Sequence, residues 1–274
     1  MKRLWKRYRS LNDLRYRLLF ALRNAWDSRR NIRWCDDQQM AFCALLDKVR
    51  PAKMCFVFGN SPNLNLIDAT DFTHIPISEV LRVGINRSFK RVPSEIILWT
   101  DCELWSEFSP EEIPSGTSLV RIARPHGHPP YIRWWIKHKS LVDWDRGGLF
   151  FLRNTLVSAL HLCFLAEIKK IVLFGVSLDD AQHFYSNEKS GRGVASYEHH
   201  SQQYVDQVFY GYDIQRCVRE IVEYMQKNEF DIRYVGESRF LEKLELKGYP
   251  DLPALKRDAD MAPFFYKEQE YAKA

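Results

Sequence analysis

The residues Gly59-Asn60-Ser61-Pro62-Asn63 follow the apolar run Met54–Phe58 and place a glycine, two side-chain amides and a hydroxyl in one short stretch. Gly59 allows a sharp turn at the end of a strand. Asn60 and Ser61 each offer hydrogen-bond donors and acceptors, and either could cap a following helical turn. Pro62 suits the first position of such a turn, where its missing N–H costs nothing. The same grammar recurs at Asn86, after Val80–Ile85, and at Thr100-Asp101, after Glu95–Trp99. In a parallel α/β sheet, ligands sit at the carboxyl ends of the strands, and free N–H groups there attract phosphate. Three polar strand ends therefore point to a nucleotide or sugar-nucleotide pocket. The plainer alternative is that strand-end Asn and Asp only make turns.

A second group of residues could move protons. His126, His128, His199 and His200 form two close pairs. Neither pair comes with a third ligand, and no cysteine lies at a finger-like spacing, so no metal site is assigned. A histidine beside a polar loop can instead serve as a general base near neutral pH. His199 or His200, at the start of a long helical pattern, is the first choice and His183 the next. Asp143-Trp144-Asp145 has the D-x-D spacing that holds a divalent metal in many glycosyltransferases, but it follows no clear strand and reads as solvated loop carboxylates. Asp179-Asp180 is a similar weak metal candidate. A serine-hydrolase elbow, a P-loop and the full glycine fingerprint for dinucleotides are all missing.

The elements that must position these groups read as an α/β, Rossmann-like, mostly parallel sheet with helices on both faces. Strands are expected at Met54–Phe58, Val80–Ile85, Glu95–Trp99, Ser118–Ala123, Ile171–Gly175 and Asp231–Val235, each short and mostly apolar, as doubly covered strands are. Helices are expected over Gln38–Val49, Arg153–Ile168, with Lys169-Lys170 closing it, and Ser201–Asn228. Arg124–Gly148 reads as a lid-like excursion, Val176–Glu198 as a polar loop, and the chain after Pro250 as a peripheral charged tail. The expected division is a basic helical segment over 1–50, the nucleotide-binding domain over 51–250 and the tail over 251–274.

With 274 residues, 46% of them hydrophobic, the chain can bury one sizeable core. Six scattered cysteines without C-x-x-C spacing suit reduced thiols in a cytoplasmic protein. No apolar stretch is long enough to span a bilayer, and no signal-like apolar region stands at the start. The net charge of +5 is uneven: Lys2 to Arg33 is strongly basic, with Leu4, Tyr8, Leu11, Leu18 and Leu22 on one helical face. Such a segment can lie on an anionic membrane, so a peripheral place on the inner membrane is expected. Nucleic acid is not expected, because no recognition module accompanies the charge.

Val57-Phe58-Gly59-Asn60-Ser61-Pro62-Asn63-Leu64 resembles the G-N-G-P-S-L turn that opens bacterial sialyltransferases of glycosyltransferase family 42. A related turn opens the 6-hydroxymethylpterin pyrophosphokinase-like family. Gly84-Ile85-Asn86-Arg87-Ser88-Phe89 is similar to the second-strand asparagine motif of the sialyltransferases, and Asn154-Thr155-Leu156 through Phe174-Gly175-Val176 to their T-S-G helix and following strand. The resemblance implies a Rossmann-like domain with a lid and an inverting, metal-independent transfer from a nucleotide sugar. It implies that Asn60 contacts the donor near its phosphate, that Asn86 contacts the nucleotide, and that Thr155 stands where a donor-binding serine is usual. Tyr185 falls where a lid-side tyrosine assists the departing phosphate, and His199 or His200 where the general base lies. The chain departs from the pattern at Ser61, Asn63, Asp101, Leu156, Ser177 and Asp179. Asp179 stands in place of a leaving-group tyrosine.

The expected function is thus transfer of a sugar, sialic-acid-like, from a nucleotide donor onto a bacterial surface glycan. Gly59, Asn60, Ser61, Asn86, Asp101, Asn154 and Thr155 would bind the donor, with no further cofactor. One alternative is a pyrophosphokinase-like phosphotransferase, which would need magnesium on Asp101, Asp179 and Asp180. Another is a non-catalytic nucleotide- or glycan-binding protein on the same scaffold.

Overall fold

The computed structural model describes residues 36–99, 116–121, 154–179 and 214–266, together with Ile113 and Leu149. Helix α1 spans Asp36–Val49. Strands β1 (Met54–Phe58), β2 (Val80–Ile85), β3 (Ile96–Trp99) and β4 (Ser118–Arg121) follow. Helix α2 (Thr155–Leu165) leads into β5 (Lys170–Phe174), and α3 (Ile214–Lys227) into β6 (Asp231–Val235). Helix α4 (Arg239–Glu242), strand β7 (Lys247–Tyr249), and helices α5 (Leu252–Lys256) and α6 (Ala262–Phe265) complete the described chain. The seven strands form one sheet in the order β4-β3-β2-β1-β5-β6-β7. Every neighbouring pair is parallel, which makes the fold Rossmann-like α/β as expected.

β1 lies at the centre with all five residues buried, because both faces of the sheet are covered. Its period of two divides the core. Cys55 and Val57 face the helices α2 and α3, packing with Leu160, Val218 and Ile221 among others. Met54, Phe56 and Phe58 face the other way. There, Phe56, Phe58, Phe72, Phe174 and Phe265 interlock at ring-centroid distances of 5.1 to 6.2 Å. Such edge and stacked pairs add to the burial of large apolar rings.

The segment after Pro250 is not peripheral over its described part. Leu252, Leu255, Met261 and Phe265 are buried against the second face of the sheet. Its charges had suggested a solvated tail, but they form its fastening. The Asp258 carboxylate accepts from Lys247 Nζ at 2.6 Å and Tyr249 Oη at 2.7 Å, and lies 3.3 Å from the Arg233 guanidinium. Lys256 Nζ donates to Asp71 at 2.6 Å. β7 was not expected from sequence either: its three residues Lys-Gly-Tyr carry no apolar alternation. Lys169-Lys170 does not close helix α2, which ends at Leu165. Glu167 turns the chain at φ 60°, and Lys170 opens β5.

The basic segment Lys2–Arg33, the excursion 124–148 and the loop 180–198 lie outside the described residues. Among the described residues, no helix is long and apolar enough to cross a membrane.

Candidate functional site

The chain runs from β1 outward through β2, β3 and β4, then returns to β5 on the other side of β1. This reversal is the topological switch point at which open α/β sheets open a crevice. Here the crevice between β1 and β5 is closed by backbone. The Gly59 N–H donates to the Phe174 carbonyl at 2.7 Å, and the Ser61 N–H to the Gly175 carbonyl at 2.8 Å. A Cβ on Gly59 would stand 2.4 Å from the Gly175 carbonyl oxygen, and Gly175 itself has φ 61°. Only two glycines allow so close an approach. The turn is braced further along: Asn63 Nδ2 donates to the Glu237 carbonyl at 2.9 Å, beside Gly236 at φ 98°.

On the other side, β1 and β2 end differently. Their register pairs Phe58 with Gly84, and Asn60 and Asn86 each follow two residues later, beyond the ends of the two strands. Asn86 has φ 50°, a left-handed conformation that asparagine tolerates better than most residues. Behind it, the Ile85 N–H donates to Ser88 Oγ at 2.8 Å, starting the helical turn Asn86–Lys90. Asn60 Oδ1, Ser61 Oγ and Asn86 Oδ1 are shielded from solvent and have no hydrogen-bond partner among the described residues. Ser61 is only 7% exposed. Its hydroxyl does not cap the following turn, Pro62–Leu66, although Pro62 occupies the first position as expected. Buried polar atoms are nearly always paired, so three unpaired oxygens at two neighbouring strand ends mark this edge.

Helix α2 runs antiparallel to the strands, since its carboxyl end passes directly into β5. Its amino end therefore lies at the same edge of the sheet. Asn154 is its N-cap, accepting the Leu156 N–H at 2.8 Å, and Thr155 is buried in its first turn. The Asn154 oxygen thus has a structural partner already.

Asp179 also has a structural role. Its carboxylate accepts the N–H groups of Arg239 at 2.8 Å and Phe240 at 2.9 Å, at the start of helix α4. Ser238 Oγ accepts the next, from Leu241, at 3.1 Å and itself donates to the Ser177 carbonyl. The loop after β5 is so tied to the β6 side of the sheet. Burial, followed by the Glu242 and Asp179 carboxylates, pushes the nearby Tyr234 phenol above its ordinary pKa.

Gly59, Asn60, Ser61 and Asn86 are thus brought to one edge, with Asn154 and Thr155 at the helix end above it. Asp101, Tyr185, His199 and His200, and with them His126, His128, Asp143, Asp145, Asp180 and His183, lie outside the described residues. Gly175, Gly236 and Asn63 shape the edge but were not assigned a role from sequence. The only available signal was a glycine directly after each of two strands, at Phe174-Gly175 and Val235-Gly236.

No protein-family model, no curated protein and no solved structure matches this chain.

Proposed function

We propose that the protein is a glycosyltransferase that takes a sugar, sialic-acid-like, from a nucleotide donor and places it on a bacterial surface glycan. The observation that carries the reading is the set of three unpaired oxygens of Asn60, Ser61 and Asn86 at the carboxyl edge of a parallel sheet. A nucleotide sugar supplies hydroxyl and amino groups for them. In the reaction, the acceptor oxygen attacks the anomeric carbon while the bond to the phosphate oxygen breaks. His199 or His200 takes the acceptor's proton, and Tyr185 assists the departing phosphate. The basic segment Lys2–Arg33 keeps the enzyme on an anionic membrane beside a lipid-linked acceptor. The capping role of Asp179 supports this reading over the magnesium-dependent phosphotransferase, because two N–H groups already occupy its carboxylate.

The test is release of free nucleotide from CMP-, UDP- and GDP-sugars by the full chain, with and without a lipid-linked glycan. One donor should be turned over faster when acceptor is present. Alanine at the histidine that acts as base should slow transfer by about two to four orders of magnitude. Absence of turnover with every donor and acceptor would overturn the reading.

A further inference from the structure

Asn60 and Ser61 belong to the turn after β1, and Asn86 to the turn after β2. The pairing of β1 with β2 carries Phe58 against Gly84 and stops short of all three residues. Beyond it, their spacing depends on how the two turns are held to each other. On its β5 and β6 side, the turn after β1 is anchored by the Gly59 and Ser61 N–H groups and by Asn63. On its β2 side, Arg91 holds it. Arg91 directly follows the helical turn Asn86–Lys90, and its own N–H donates to the Ser88 carbonyl at 2.9 Å. Its side chain crosses to the other turn. There Nη2 donates to the Ile67 carbonyl at 2.8 Å and lies 3.3 Å from the Asn65 carbonyl. Carbonyls at the end of a single helical turn have no partner within it, so they are open to a donor from elsewhere. Arginine suits the task, being always charged and carrying its donors on a rigid planar fork. The nearby Asp68 carboxyl agrees with this placement. It is held below its ordinary range mainly by the Thr70 N–H and hydroxyl, and the Arg91 charge adds to that.

We infer that Arg91 is a positioning residue: by holding the Asn86 turn to the Pro62–Leu66 turn, it fixes the spacing between Asn86 and the Asn60–Ser61 pair. This assignment rests on the nucleotide-sugar reading above and adds to that site a residue outside the set that meets the ligand. A ligand bound across two turns is sensitive to their separation, since a shift of about 1 Å in a bound geometry can cost up to a hundredfold. The competing role is plain surface stabilisation, which is small for an exposed charge.

The test compares the full chain with R91K and R91M. Methionine keeps an unbranched stem and removes every donor. Lysine keeps the charge and can serve one carbonyl, without the fork. CMP, UDP and GDP are titrated calorimetrically, and turnover is followed with whichever sugar nucleotide the parent accepts. R91M should weaken nucleotide binding and raise the donor KM by about tenfold, with kcat within about threefold of the parent. Its urea midpoint should stay close to that of the parent, and R91K should recover part of the lost affinity. Hydrogen exchange locates the change. The Leu64 and Ile67 amides should lose protection in R91M, whereas those of Gly59 and Ser61, bonded to β5, should keep theirs. Parental affinity and KM in R91M overturn the inference. So does a lower midpoint or kcat with affinity intact. If R91M fails to fold, R91K decides: parental affinity despite faster exchange at Ile67 overturns the inference. Turnover of a sugar nucleotide with R91M unaltered would sink this inference and leave the transferase reading standing. Nucleotide binding weakened in R91M, without turnover of any sugar nucleotide, would do the reverse. Failure of the parent to bind any nucleotide overturns both.

Discussion

Asn60 and Asn86 follow the carboxyl ends of adjacent parallel strands, each two residues beyond the paired Phe58 and Gly84. Asn86 turns the chain there with a left-handed backbone, at φ 50°. Replacement by glycine should leave stability within about 0.5 kcal/mol of the parent, whereas valine should cost about 1–2 kcal/mol by strain alone. Urea unfolding of the two variants checks this, and equal stability would deny that the backbone there is constrained.

The contact between Gly59 and Gly175 leaves no room for a side chain. G59A places a methyl group 2.4 Å from a carbonyl oxygen and 2.8 Å from Val176 Cγ2. It should destabilise by about 2–4 kcal/mol, as forced overpacking of a core does. Denaturant midpoints measure the loss. If the same variant also opens the β1–β5 crevice, protection of the Ser61 amide against hydrogen exchange should fall with it.

Much of the fold was legible because its strands are buried on both faces. Met54–Phe58 is an unbroken apolar run and Asp231–Val235 sets Ile232, Tyr234 and Val235 among two charged residues, and both were read to the residue. The site was legible as far as single residues show it: a glycine, a serine and two asparagines at strand ends. What they lack was not legible. Ser61 and Asn60 would be ordinary turn residues if their oxygens were paired, and pairing is a property of tertiary neighbours far away in the chain. Asp179 shows the same limit from the other side. It looks like a candidate for metal or phosphate chemistry until Arg239 and Phe240, 60 and 61 residues further on, supply the N–H groups that occupy it. The C-terminal segment was misread because its charges outnumber its buried residues, although the charges are what fasten it.

D179A should cost about 1 kcal/mol by removing the acceptor of the Arg239 and Phe240 N–H groups at the start of helix α4, while the Ser238 cap remains. Asparagine, which retains one accepting oxygen, should recover part of the loss. Thermal unfolding of D179A and D179N together separates this structural role from any role in binding.

Asp258 fastens the C-terminal segment with a carboxyl held well below the ordinary range. The hydrogen bond from Lys247 is the main cause; burial opposes it, and Tyr249 and the Asp260 N–H assist. A lowered folded-state value means that the stabilisation is fully present above the unfolded value of about 3.9 and is lost as pH falls below it. D258N should therefore be destabilised by about 2 kcal/mol at neutral pH, since it leaves the 7%-exposed Arg233 side chain with fewer partners. The gap to the parent should shrink as the pH is lowered from about 5 to 2. A gap independent of pH would show that the charge of Asp258 is not what matters.

The packing of Phe265 against Phe56 and Phe72 has a consequence for the birth of the protein on the ribosome. Synthesis is vectorial, and β1 emerges long before the residues that cover its second face. Until Leu255, Met261 and Phe265 have left the exit tunnel, the nascent sheet shows Phe56, Phe58 and Phe174 to whatever is nearby. Exposed aromatic surface of this kind is what holdase chaperones bind and what drives misassembly. Completion of the native state therefore waits on Leu252–Phe265, and a stalled chain ending before Leu252 is left with that aromatic face open.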